Sequence, residues 1–268
     1  MDYRILISTV FILLLGAAIG ALGFRFYLSS FEFEKFVTRS DNLLQVDHSS
    51  FQKILDSYLE TSSNDNINRF DYRSAINEKA TLRSYIAGLE KIDPALLSDQ
   101  EALAYWINFY NAGMIFLVLE LGEFTNVDRN KPYFFLTNHF EVMGTAISLD
   151  HIENQIIRRQ WDEPRIHYAL NCASLSCPNL QALVFEGNSL NSQLDYAATE
   201  YINHPRGVGG LEGKRLGVSQ IYNWFSQDFG STDAETIQHI SSYTDNNYGE
   251  AQRLRFIPYD WSLNIILE

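Results

Sequence analysis

Residues 101–121 read EALAYWINFYNAGMIFLVLEL. From Leu103 to Leu119 the stretch is apolar on nearly every side, the pattern of a helix at the centre of a core. Ser98-Asp99-Gln100-Glu101 supplies its start signal. Two amides interrupt it. Asn108 and Asn111 are three residues apart and share a face, with Tyr105 one turn earlier. A buried amide left unpaired costs about 1–3 kcal/mol, so the pair predicts a polar feature opposite this helix.

On the N-terminal side, Ser49-x-x-Gln52 fits a capping box. Phe51, Ile54, Leu55, Tyr58 and Leu59 follow at helical spacing, and Leu82, Tyr85, Ile86 and Leu89 mark a second amphipathic helix. On the C-terminal side the pattern is mixed. Met143-Gly144-Thr145 predicts a hairpin turn between two short strands. Ser148 caps LDHIENQIIRRQ, Arg165 to Leu170 reads as a strand, and Leu190 to Asn203 as a helix. Gly207 to Gly217 reads as a glycine-rich hairpin, and Ser219 caps a helix stopped by Gly230. The expected architecture is α+β: one helix-rich domain, residues 49–268, with a small antiparallel or mixed sheet.

The chain of 268 residues has 46% hydrophobic content and a formal net charge of −13. That content is ample for a core. The acidity argues against a nucleic-acid partner, which needs clustered Lys and Arg. From Ile5 to Phe24 there is no charge, a span of about 30 Å as a helix, enough to cross a bilayer core. Residues 1–25 are expected to be a membrane anchor or signal peptide, and 26–48 a tether. Ala21-Leu22-Gly23 offers a cleavage site, so cleavage and secretion is the alternative to anchoring. The expectation is an exported domain, although Arg25, Lys35 and Arg39 after the segment do not favour that orientation.

Residues 165–180, RIHYALNCASLSCPNL, hold both cysteines and a histidine. A thiolate is a strong nucleophile that a nearby imidazole can activate, and a third group would orient the imidazole. His167, Cys172 and Cys177 are the catalytic candidates, with Asn108, Asn111 or Asp260 as orienter. On a straight strand His167 and Cys172 would point to opposite sides, whereas His167 and Asn171 share a face. The competing reading is a Cys172–Cys177 disulfide, suited to an oxidising compartment. His151 and Glu153 have weak support as metal ligands, since two residues apart on a helix face differently. No cofactor or metal is expected. Trp106, Trp224 and Trp261 read as core aromatics rather than a stacking platform.

The segments AYWINFYNA, ISLDHIEN, DEPRIHYALNCASLSCPNL, YINHPRGV, SQIYNWFSQDFG and YDWSLN resemble the family called domain of unknown function 547, from about Ser49 to Asn264. The resemblance singles out Trp106, Asn108, Asn111, Glu153, Arg165, His167, Asn171, Cys172, Ser174, Cys177, Pro178, Asp260 and Trp261. Family members look like secreted or anchored bacterial proteins, and their activity is not established. One departure is Asn154, where members often have His. Two functions follow as expectations. The first is a cell-envelope module that binds a small polar ligand or peptide through an Asn/His pocket, with Arg165, Glu153, Trp106 and Ser174 as further contacts and the cysteines bridged. The second is a thiol- or His-centred hydrolase or acyl/amide transferase, similar to transglutaminase-like or papain-like enzymes in layout only.

Overall fold

The computed structural model describes residues 44–62, 64–122 and 124–266. The expected anchor and most of the tether lie outside the described residues.

The order of elements is α1 (Ser49–Tyr58), β1 (Leu59–Glu60), β2 (Arg69–Phe70), α2 (Lys79–Leu89), α3 (Asp99–Leu121), β3 (Phe140–Val142) and β4 (Thr145–Ile147). A π-helical stretch, His151–Ile157, continues into Arg158–Gln160. Then come α4 (Ile166–Ala169), α5 (Leu190–Ile202), β5 (Val208–Glu212), β6 (Arg215–Val218), α6 (Ile221–Trp224), α7 (Asp233–Ser241) and β7 (Arg253–Phe256). The fold is helix-rich with small sheets, as the α+β reading expects.

The centre is α3. Ser98 caps it by accepting a hydrogen bond from the Glu101 N–H, and Gly122 ends it at φ 68°. The helix is long and apolar enough to cross a membrane, but 94% of its most apolar window is buried inside the fold. Phe109 meets Phe140 of β3 edge-on at 5.4 Å. A Cβ at Gly113 would stand 3.0 Å from the Phe140 ring, so glycine lets the β3–β4 hairpin lie this close without displacing that ring. A second apolar cluster gathers around Tyr168, Ala198, Leu216, Val218, Tyr222 and Ile240.

The sheets are antiparallel except for one pairing. β3 and β4 form the expected hairpin, with Met143 (φ 50°) and Gly144 (φ 75°) in its turn. β5 and β6 are the glycine-rich hairpin, and β7 adds in parallel to β6, Arg215 opposite Arg253.

Two local expectations are corrected. The segment 165–170 is not a strand: Ile166–Ala169 is one helical turn. The capping box at Ser49 does not form, because the helix starts after His48 without a side-chain cap. Gln52 instead grips the main chain of Ala182 and Val184, at 2.8 and 2.9 Å.

Candidate functional site

The site begins with the loop after α4. Asn111 of α3 donates to Ala169 O (2.9 Å) and accepts from Asn171 N (2.8 Å), which fixes the chain as it leaves the helix. Asn171 then donates to Pro178 O (2.7 Å) and accepts from Ala173 N (2.9 Å), so it closes its own loop. Ala173 takes φ 61°, an uncommon conformation for a residue with a Cβ. The resulting reversal sets the two cysteines side by side, and the Cys172 N–H donates to Cys177 Sγ at 2.8 Å.

Both thiols are free. Cys177 is buried, and burial pushes its thiol well above the usual range. Cys172 is partly exposed. Burial pushes its pKa up, but hydrogen bonds from Cys177, Ser174 and Tyr259 outweigh it and bring the thiol down to about 7. The Ser174 and Tyr259 hydroxyls lie 3.1 and 3.3 Å from Cys172 Sγ.

The π-helical stretch supplies the opposite group. The Ser148 hydroxyl accepts from His151 N (3.1 Å), and the wide turn that follows directs Glu153 inward. Burial raises the Glu153 carboxyl to about 7, although a hydrogen bond from Tyr110 pulls the other way and the nearby Cys172 adds to the rise. Glu153 Oε1 lies 3.9 Å from His167 Nδ1. On its other side His167 Nε2 is 2.7 Å from Asp228 Oδ2, and the ring stacks on Phe225 at 4.1 Å. Arg158 clamps Asp228 with two bonds, 2.5 and 2.8 Å. Burial would raise the Asp228 carboxyl, but His167 and Arg158 hold it well below the usual range. Burial also lowers the His167 pKa. Burial favours the neutral imidazole, while the ionised Asp228 beside it pulls the other way and draws a ring proton to Nε2.

These groups share one cavity of about 230 Å³. Cys172, Cys177, Glu153, His167, Asp150 and Asn154 form its polar lining, and Tyr110, Phe135, Trp224, Phe225, Tyr259 and Trp261 are its aromatic walls. A larger cavity of about 510 Å³, lined by Asn66, Asn68, Gln181, Tyr196 and Glu200 among others, contains none of the thiol, imidazole or paired-acid chemistry. Among the described residues no three His, Cys, Asp or Glu side chains are grouped to hold a metal ion.

The predicted Asn/His pocket does not form. Asn108 donates to Phe185 O (2.7 Å) and accepts from Phe185 N (2.9 Å), so its amide is spent on main chain, as are those of Asn111 and Asn171. Asp260 does not orient the histidine: it is exposed, and its carboxylate accepts from Ser262 N. Arg165 pairs with Glu163 and Asp195 away from the cavity. Trp106 is a wholly buried core residue, as expected. Trp224 and Trp261 are not, and stand at the cavity. His167 and Cys172 reach the same cavity because the turn of helix and the reversal at Ala173 replace the strand on which they would diverge. Sequence reasoning missed Asp228, Tyr110, Tyr259 and Arg158. Asp228 lies within SQIYNWFSQDFG, a segment already singled out by the resemblance, which was the available signal.

The family model described as "Protein of unknown function, DUF547" matches residues 94–202, and over that stretch the resemblance read from the sequence is shown. The match contains Glu153, His167, Cys172 and Cys177 and ends before Asp228 and Tyr259. No curated protein and no solved structure matches the chain.

Proposed function

We propose that the domain is a thiol enzyme, a hydrolase or acyl transferase with Cys172 as nucleophile. The observation that carries this reading is a free, partly exposed thiol, bonded by two hydroxyls, in the same cavity as a buried carboxyl and an Asp-anchored imidazole. At neutral pH the thiolate of Cys172 attacks the carbonyl carbon of an ester, thioester or amide. Glu153, still protonated, gives its proton to the departing oxygen, sulfur or nitrogen, leaving an acyl group on Sγ. Water or an amine then attacks that acyl group, the Glu153 carboxylate accepts the incoming proton, and Cys172 leaves as thiolate. His167, fixed by Asp228, stands with Nδ1 3.9 Å from the Glu153 carboxyl, beyond direct hydrogen-bond reach, and acts as a positioning residue for the cavity.

The reading as a binding module depends on a Cys172–Cys177 bridge and an amide-lined pocket. The free thiols and the main-chain partners of the asparagines favour the enzyme instead. Export on the segment Ile5 to Phe24 remains part of the proposal. Its support is that uncharged run, and its check is whether the full chain sediments with membranes while residues 26–268 do not.

The test is intact-mass spectrometry after incubation with the acetyl thioester of N-acetylcysteamine. One acetyl group should appear on Cys172 and vanish in Cys172→Ala. Glu153→Gln should let the adduct persist. A thiol that reacts no faster than free glutathione at pH 7 would remove Cys172 as nucleophile.

A further inference from the structure

Three aromatic rings extend the cavity outward from the thiol. Trp224 and Trp261 stack at 5.5 Å with planes 29° apart, and Tyr259 packs against both, at 4.9 and 4.6 Å. Trp224 is 45% exposed, whereas Trp106 is wholly buried. The Lys131 ammonium lies 3.6 Å over the Trp261 ring and holds it in place. The Tyr259 hydroxyl touches Cys172 Sγ, so the shelf and the nucleophile are joined through one side chain.

The lining also says what the shelf excludes. Asp150 and Glu153 are acidic, and the cations over the aromatic walls, Lys131 on Trp261 and Arg158 on Phe225, are already paired with Asp128 and Asp228, so an anionic group meets repulsion without a free counter-charge. Two neutral polar side chains at or beside the cavity are already paired. The Asn154 amide is committed to Asp150 and Arg158, and the Ser174 hydroxyl to Cys172 and Tyr259. The volume of about 230 Å³ falls below the roughly 300–1,000 Å³ of pockets that engulf a whole small molecule. It suits one group of a larger substrate.

We propose that the shelf of Trp224, Tyr259 and Trp261 is the subsite for an uncharged acyl group carrying an aromatic ring, held so that its carbonyl lies against Cys172. This deepens the thiol-enzyme reading and rests on it for the acyl step.

The experiment compares phenylacetyl, acetyl and succinyl thioesters of N-acetylcysteamine, which share one leaving group, by their rate of adduct formation on Cys172. Phenylacetyl should react fastest and succinyl slowest. Trp224→Ala, at an exposed position, should reduce the phenylacetyl-to-acetyl ratio about tenfold, and Trp224→Phe should restore most of it. In parallel, calorimetry measures phenylacetamide and acetamide on Cys172→Ala, with and without Trp224→Ala. Equal rates for the three thioesters, or a ratio that Trp224→Ala leaves unchanged, overturn the subsite while the nucleophile stands. Binding of phenylacetamide that depends on Trp224, with no adduct from any thioester, keeps the aromatic subsite and overturns the thiol reaction. Neither binding nor adduct overturns both.

Discussion

Glu153 carries the sharpest single-residue consequence. Its carboxyl moves from 4.5 unfolded to about 7 folded, through burial above all. The folded state therefore holds a proton that the unfolded chain gives up. Its contribution is complete below pH 4.5 and is lost as pH rises through 7, a span corresponding to on the order of 3 kcal/mol. Urea unfolding of the native chain should show this loss between pH 5 and 8, and Glu153→Gln should flatten that part of the profile. Cys172 gives a second expectation. Its alkylation by iodoacetamide should rise with a midpoint near 7, against about 8.5 for an ordinary thiol. Tyr259→Phe or Ser174→Ala should move the midpoint upward, because each removes a donor to the thiolate. The cavity-lining residues His167, Cys172 and Cys177 were legible in the sequence because their chemistry is rare and crowded into one stretch. Asp228 was not, since it stands 61 residues from the histidine it bonds and one more surface acid looks like any other. The asparagines were half legible. Burial demanded partners for their amides, but residue type cannot tell main chain from ligand.

Among the elements, α3 was read correctly because it is apolar on nearly every side, and α1 and α2 because their apolar residues recur at helical spacing. The two amides of α3 brace different loops, and that separates their predicted effects. Asn108→Ala strips both hydrogen bonds from buried Phe185 main chain and should cost about 2–4 kcal/mol, leaving Cys172 alkylation unchanged. Asn111→Ala should destabilise by a similar amount and also slow alkylation, because it frees the chain between α4 and the thiol. Chemical denaturation and thiol kinetics on the same pair of variants check this. Arg165 to Leu170 was misread because a single turn of helix is too short to show a 3.6-residue period, and its apolar run satisfies a strand equally well. The wide turn at His151–Ile157 was invisible for a related reason: its register arises from packing, whereas its sequence alternates as an α-helix does.

At the scale of the molecule, the C-terminal segment ties distant parts together. Trp261 O accepts from Val127 N, Ser262 O from Leu175 N, and Asp260 O from Ser176 N, while Asn264 N donates to Ala173 O. Asn264 also accepts from Phe70 N through its main chain and from the Tyr72 hydroxyl through its side chain. The helix-rich fold with small sheets could be anticipated from its periodic segments. This lacing could not, because RFIPYDWSLN reads only as extended and aromatic, with no sign of what it pairs against. Removing residues 258–268 should leave a chain without cooperative thermal unfolding, in which Cys172 alkylates with the midpoint of an unstructured thiol, about 8.5.

That lacing has a consequence for biosynthesis. The ring whose hydroxyl tunes the sulfur is translated 87 positions after the cysteine itself. A nascent chain from which Tyr259 has not yet emerged therefore lacks one hydroxyl partner of the Cys172 thiol, and that contact forms only once the segment around Tyr259 docks.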